Sequence, residues 1–138
     1  MEILRVDGLK FSYPNQLKKA LNNISFSIEE GDFVLICGQS GCGKSTLLRH
    51  LKPELSPHGE RSGDIYYYSK EISKYSSKQL ASEIGYVLQN PDAQIVTDKV
   101  WHELAFGLEN MGLDTQTIRT RVAEMASFFG IQGWFRKN

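Results

Sequence analysis

At residues 38–46 the chain reads Gly38-Gln39-Ser40-Gly41-Cys42-Gly43-Lys44-Ser45-Thr46. A glycine, four residues and then Gly-Lys-Ser is the spacing of a loop that cradles phosphate groups. The expected flanks are present, since an apolar run at 33–36 has the composition of a strand and residues 46–51 form the first turns of a helix. The pattern predicts an α/β fold built around a phosphate site. A strand-to-helix turn that binds nothing is the simpler alternative.

Each part of this loop has a chemical task. Its glycines allow backbone conformations that side chains forbid, so that successive N–H groups can point inward at an anion. Lys44 is expected to reach the β- and γ-phosphates of a nucleotide, and the Ser45 hydroxyl to bind Mg²⁺. Alkylation of Cys42 is expected to block nucleotide binding. The predicted nucleotide-binding residues of the loop are Gly38, Gln39, Ser40, Gly41, Cys42, Gly43, Lys44, Ser45 and Thr46.

Composition limits the classes of function. Sixteen basic residues balance sixteen acidic ones, so no overall field recruits nucleic acid or an anionic membrane. No apolar run reaches the roughly 18 residues of a transmembrane helix, and the first residues lack the apolar block of a signal peptide, so we expect a cytosolic protein. Cys37 and Cys42 do not have metal-ligand spacing, and a cytosolic disulfide between them is not expected. Cys37 is predicted to be a small core residue.

The first third of the chain predicts an antiparallel β layer. A first strand covers residues 3–11 without clean alternation, and residues 21–28 alternate as a half-buried strand does. A hairpin-type turn at 29–32 then leads into the strand of the phosphate loop at 33–36. The sequence therefore predicts a β layer that feeds a parallel core.

A polar residue, Gln89, follows a short β-branched run at 84–88 that is typical of a buried strand. The carboxyl ends of core strands are where α/β sheets place ligand contacts. Gln89 is therefore a candidate ligand of Mg²⁺ or of the attacking water. A polar strand end without a function is an equally good interpretation of the local pattern.

The remaining segments are assigned by periodicity and turn signals. We predict a loop at 52–62, a strand at 63–68 and a helix at 76–83 that begins with a serine. Two longer helices follow. One covers 98–111, and one covers 114–129 with a cap from Asp114 or Thr115. The apolar stripe of the last helix is interpreted as a packing face and consists of Ile118, Val122, Met125, Ala126 and Phe129.

Together these residues resemble the ATP-binding subunit of an ABC transporter. Tyr13 resembles the A-loop aromatic that stacks on adenine, residues 38–45 resemble the Walker A loop, and Gln89 resembles the Q-loop glutamine. The resemblance implies a P-loop NTPase fold with an ABC-type ATPase core. It also implies ATP and Mg²⁺ as ligands, with Mg²⁺ held by Ser45 and Gln89, and catalytic roles for Lys44 and Gln89.

The resemblance covers nearly the whole chain, residues 1–138, as one nucleotide-binding domain. It implies an N-terminal antiparallel β layer at about 1–30, a phosphate-loop core at about 31–92 and the start of a helical subdomain at about 93–138. Within that subdomain, Trp101, Leu104 and Phe106 are candidates for a groove that receives a membrane partner.

Two runs, at 86–95 and 100–110, are similar to energy-coupling factor transporters. These import vitamins or transition-metal ions such as cobalt and nickel. The similarity implies a second ATP-binding subunit, a transmembrane coupling protein and a substrate-binding membrane protein as partners. The balanced charge argues against nucleic acid as a partner. It places the ATPase at the cytoplasmic face of the cell membrane as a peripheral subunit.

The chain departs from that family by containing no Leu-Ser-Gly-Gly-Gln signature, no Walker B Asp-Glu pair and no switch histidine. It is therefore expected to be an N-terminal fragment, truncated before those motifs, that binds ATP with negligible turnover and exposes a β edge. His50, His58 and His102 are expected to be surface residues. The alternatives are a P-loop kinase or GTPase, a binding module without hydrolysis, and a soluble ABC protein acting on nucleic acid.

Overall fold

The computed structural model describes residues 1–137. They fall into two compact units, residues 1–84 and residues 85 onward, and each is described by itself. The first unit contains β1 (Glu2–Ser12), β2 (Leu21–Glu29), α1 (Lys44–His50), β3 (Glu60–Tyr67), β4 (Lys70–Glu71) and α2 (Ser77–Glu83). The second contains α3 (Val100–Asn110) and α4 (Thr115–Phe129). Short 3₁₀ turns occur at Pro53–Leu55, Ile72–Lys74, Pro91–Gln94 and Gln132–Trp134.

The sheet of the first unit is antiparallel throughout, in the order β2-β1-β3-β4. The predicted antiparallel layer is confirmed, and it gains β3 and β4 from later in the chain. β1 lacks clean alternation because its register with β3 shifts between Asp7 and Lys10. At that bulge the backbones come close together, since a Cβ on Gly63 would lie 2.5 Å from the Gly8 carbonyl oxygen.

The core of the first unit lies under this sheet and is closed by α1 and α2. Hydrophobic side chains from the sheet, both helices and one 3₁₀ turn bury one another, and this burial is the main source of the unit's stability. The buried residues are Val6, Leu9, Phe11, Leu21, Leu47, Ile65, Ile72 and Leu80.

Two predicted strands do not form. Residues 33–36 run without strand pairing, and Phe33 and Leu35 are 94% and 76% exposed. Residues 85–88 are likewise unpaired, with Val87 76% exposed. A strand needs the hydrogen-bonding groups of a neighbour, and no described residue pairs with either segment. For the same reason Cys37, predicted to be in the core, is exposed.

Both long helices predicted for the second unit are confirmed as α3 and α4, and they pack against each other. Asp114 is the N-cap of α4, since its Oδ1 accepts the Thr117 N–H at 3.0 Å. The predicted apolar stripe of α4 is only partly a packing face, because Val122 and Ala126 are buried whereas Met125 and Phe129 are exposed. None of the helices described in residues 1–137 combines the length and apolar character needed to cross a membrane.

Candidate nucleotide-binding site

The phosphate loop of the sequence ends where α1 begins. Gly43, directly before Lys44, has φ 100°, and a Cβ at this position would lie 2.5 Å from the Ala20 carbonyl oxygen. Left-handed backbone and this close approach both require glycine. The local sequence therefore fixes the turn and sets the start of α1 against the residues that lead into β2.

Lys44 folds back over the loop. Its Nζ donates to the carbonyl oxygens of Gly38 at 2.8 Å and Gln39 at 2.7 Å, and lies 3.6 Å from Cys42 Sγ. The ammonium group is thereby held at the centre of the loop, where its charge favours an anion. The thiol contact shows that a group added to Cys42 would crowd this ammonium, so the expected effect of alkylation stays a prediction.

Tyr13 and Thr46 are brought together although they are 33 residues apart in the sequence. The Tyr13 Oη and the Thr46 Oγ1 are 2.9 Å apart and hydrogen-bonded. The Tyr13 ring stands edge-on to Phe11, with centroids 4.9 Å apart. The sequence predicted both residues for the site but gave no sign of this contact. Gln39, Ser40 and Ser45 are exposed.

His50 is buried, with 1% of its surface exposed, so its prediction as a surface residue was wrong. Its Nδ1 lies 2.7 Å from the Thr46 carbonyl oxygen, which can only accept, so Nδ1 carries a proton. Its Nε2 is buried without a partner among the described residues. Burial and the nearby Arg61 charge lower the His50 pKa, against the opposing effect of the Thr46 bond, so the ring is neutral at pH 7.

The other two histidines differ from His50. His58 is exposed, as predicted. His102 is partly exposed, and its Nδ1 lies 3.7 Å from Asp98 Oδ1.

Gln89 belongs to the second unit and is exposed. The backbone before it is held by Gln94, whose Oε1 accepts the Leu88 N–H at 2.7 Å and whose Nε2 donates to the Tyr86 carbonyl at 3.2 Å. Gln94 thus replaces a neighbouring strand for these two residues. Sequence reasoning noted the run that contains Gln94 but missed this role, for which the sequence offers no signal.

Glu103 fixes the loop that precedes α3. Its Oε2 accepts the N–H groups of Val96 at 3.1 Å and Thr97 at 2.9 Å, and the Thr97 hydroxyl at 3.0 Å. The Thr97 N–H is the main cause of the lowered Glu103 pKa. On the same helix Trp101 and Phe106 are 41% and 37% exposed, and Leu104 is partly exposed.

Comparison with known proteins identifies the family. The sequence model of the family described as ABC transporter matches residues 21–137. A Bacillus cereus ABC transporter ATP-binding protein is 47% identical over 127 residues, which is 92% of this chain and 23% of that protein. The energy-coupling factor transporter ATP-binding protein EcfA2 of Acetivibrio thermocellus is 36% identical over 131 residues, which is 93% of this chain and 46% of that protein.

Solved structures agree with the sequence relatives. The structure of cbiO1 from Clostridium perfringens, part of the ABC transporter complex cbiONQ, matches with TM-score 0.81 and 35% identity, over 99% of this chain and 53% of that one. A nucleotide-free ATP-binding cassette from an ABC transporter matches with TM-score 0.71 at 24% identity and shows the fold alone. The chain spans 23% to 46% of the length of the curated relatives above. It belongs to the ABC transporter family and is part of an α/β ABC-type ATPase domain.

Proposed function

We propose that this chain is the part of an ABC ATPase that binds ATP with Mg²⁺. The observation that carries the proposal is the loop before α1, where Gly43 permits the turn and the Lys44 ammonium is held over the Gly38 and Gln39 carbonyls. A bound triphosphate would replace these carbonyls as the acceptor of the Lys44 hydrogen bonds, since a charged phosphate oxygen is the stronger acceptor.

Mg²⁺ is a hard cation that prefers oxygen ligands, and each of the two units offers one candidate side chain for it. Ser45 offers an exposed hydroxyl in the first turn of α1, and Gln89 offers a carboxamide oxygen on an exposed segment. Bound Mg²⁺ would neutralise part of the phosphate charge. Lys44 would hold the phosphates, and Tyr13 would stack on the adenine.

In the complete protein we propose that ATP hydrolysis powers import of a vitamin or a transition-metal ion. Similarity to an energy-coupling factor ATPase and to cbiO1 supports this class. The partners would be a second ATP-binding subunit, a transmembrane coupling protein and a substrate-binding membrane protein, with the ATPase peripheral at the cytoplasmic face of the membrane. Lys44 and Gln89 would act in catalysis, while this chain alone binds ATP with negligible turnover.

The proposed contact with the membrane partner lies on α3 and the Gln89 segment. The partial exposure of Trp101, Leu104 and Phe106 supports a groove there, since complete burial of all three would leave no surface to receive a partner. Gln94 and Glu103 hold the backbone at residues 86–88 and 96–97, which precede α3 in the second unit.

Displacement of a fluorescent ATP analogue tests the nucleotide proposal. We expect ATP to displace it better than GTP, and Tyr13→Ala to weaken ATP binding by roughly 5- to 100-fold because base–aromatic stacking is lost. Tyr68→Ala, at an exposed tyrosine of the same unit, is the control and should bind normally. Preference for GTP would favour the GTPase alternative. Equal ATP binding by the unaltered chain, Tyr13→Ala and Tyr68→Ala would show that Tyr13 is not part of the site.

A further inference from the structure

The contact between Tyr13 and Thr46 joins the aromatic residue proposed for the base to a residue of the phosphate loop. Their hydroxyl oxygens are 2.9 Å apart in a partly buried setting. Thr46 is buried within the first turn of α1, directly after Ser45. A stacking role needs only the tyrosine ring, so the position of this hydroxyl requires a separate explanation.

Neighbouring residues hold both Tyr13 and Thr46 in place. The Tyr13 ring rests edge-on against buried Phe11 at 4.9 Å. The Thr46 carbonyl accepts from His50 Nδ1 at 2.7 Å, and the His50 ring packs on the same Phe11 at 4.5 Å. The Tyr13 ring and the Thr46 backbone are thus each held by neighbouring residues, which favours the hydrogen bond between the two hydroxyls.

A hydroxyl has one proton to donate, and this decides the direction of the bond when a phosphate is present. If Thr46 donated to Tyr13, it would have no proton for a phosphate oxygen. If Tyr13 donates to Thr46, the single Thr46 proton can point at the phosphate. The phenol is also the more acidic of the two hydroxyls and hence the better donor.

Building on the proposed function, we propose that the Tyr13 hydroxyl positions the Thr46 hydroxyl to donate to a phosphate group of the nucleotide. Tyr13 then acts on both ends of ATP, with its ring on the base and its hydroxyl on the phosphates through Thr46. The two successive hydrogen bonds strengthen each other, since each polarises the next. Tyr13 is thus a positioning residue for the phosphate loop.

The test is calorimetric titration of the chain with ATP and with inorganic tripolyphosphate, both with Mg²⁺. Tripolyphosphate lacks a base, so it reports only the phosphate end. We expect Tyr13→Phe, which keeps the ring, to weaken binding of both ligands by the same factor of about five, the usual size of one net hydrogen bond. Tyr75→Phe, which removes a different tyrosine hydroxyl hydrogen bond of 2.7 Å, should leave both affinities unchanged.

A second pair of variants ties the effect to Thr46. In a Thr46→Val background, Tyr13→Phe should have no further effect on tripolyphosphate affinity, whereas in a Thr46→Ser background, which keeps the hydroxyl, the effect should persist. Thermal unfolding of the ligand-free variants checks that they are folded. A role of the Tyr13 hydroxyl that does not pass through Thr46 would weaken binding in all backgrounds alike.

The possible results separate this inference from the function it builds on. Unaltered chain that binds neither ligand would overturn the proposed function. Unaltered chain that binds both ligands, with Tyr13→Phe binding tripolyphosphate equally well, would leave the nucleotide function intact and overturn the role of the hydroxyl. An equal effect of Tyr13→Phe in the Thr46→Val background would also overturn it.

Discussion

Single residues hold the phosphate loop in place through backbone contacts. Lys44 bonds two loop carbonyls, His50 bonds the carbonyl of Thr46, and Gly43 fits against the carbonyl of Ala20. In each case the partner is a main-chain carbonyl oxygen, which is present whatever side chain the partner residue carries. The loop conformation therefore depends on the identity of these three residues.

Replacement of Gly43 tests this dependence. Gly43→Ala places a methyl group on a left-handed backbone and against a carbonyl oxygen at 2.5 Å, and we expect it to lower the free energy of unfolding by about 1–3 kcal/mol. Gly107→Ala is the matched control, because that position lies inside α3 with open space around it, and alanine should stabilise the helix by about 0.5–1 kcal/mol. Urea unfolding measures both, and an unchanged stability of Gly43→Ala would contradict the geometry.

Burial of His50 predicts a pH dependence of stability. Burial lowers the His50 pKa in the folded state, so the unfolded chain, with a histidine pKa near 6.5, binds the proton more readily. This contribution to stability is complete above about pH 6.5 and is lost as the pH falls below it, with a slope of at most about 1.4 kcal/mol per pH unit.

Unfolding measured between pH 7.5 and pH 5.5 should show that slope. His50→Leu should reduce it, because the variant cannot titrate. His58→Leu, at an exposed histidine, should keep it. The same slope in the unaltered chain and in His50→Leu would mean that other groups cause the pH dependence.

At the scale of elements, the sequence predicted helices better than strands. The helices at 76–83, 98–111 and 114–129 form within two residues of their predicted ends, since apolar spacing and, in the first and third helix, a side-chain N-cap are local signals. Strand formation at 33–36 and 84–88 depends on distant partners that a local pattern does not supply. The sequence at those positions favours strand formation, but no described residue pairs with either segment.

Hydrogen exchange tests the contribution of Gln94 to the Gln89 segment. Gln94→Ala removes the acceptor of the Leu88 N–H and the donor to Tyr86, so the Leu88 amide should exchange about five times faster, as expected for one net hydrogen bond. Gln16→Ala, at an exposed glutamine of the first unit, should leave this amide unaffected. Unchanged Leu88 exchange in Gln94→Ala would mean that other contacts hold the segment.

Over the whole chain, sequence motifs name the candidate site residues but do not predict the contacts between them. The loop at 38–46 is recognised by spacing alone. The Tyr13–Thr46 bond and the buried His50 depend on how β1 packs against α1, and neither has a sequence signal. Cys37, predicted to be in the core, follows the apolar run at 33–36 and would be buried only where a further layer covered that run.

The exposed apolar segment at 33–36 predicts how the chain behaves in solution. Phe33 and Leu35 are largely exposed in an unpaired stretch, and such surfaces associate. We expect the sedimentation coefficient of the chain to rise with concentration, and the double variant Phe33→Lys, Leu35→Lys to reduce this rise. Lys74→Glu, at an exposed lysine paired with Glu71, is the control. A concentration-independent monomer would contradict the prediction.

The most direct test of the account is titration calorimetry with ATP and Mg²⁺ on the chain and on Lys44→Ala, with phosphate release followed in parallel. We predict that the unaltered chain binds ATP, that Lys44→Ala binds at least tenfold more weakly because a charge-assisted contact is lost, and that neither releases phosphate. Equal binding by both proteins would contradict the assignment of the phosphate site. Sustained release that depends on Lys44 would contradict the prediction that the chain alone lacks turnover.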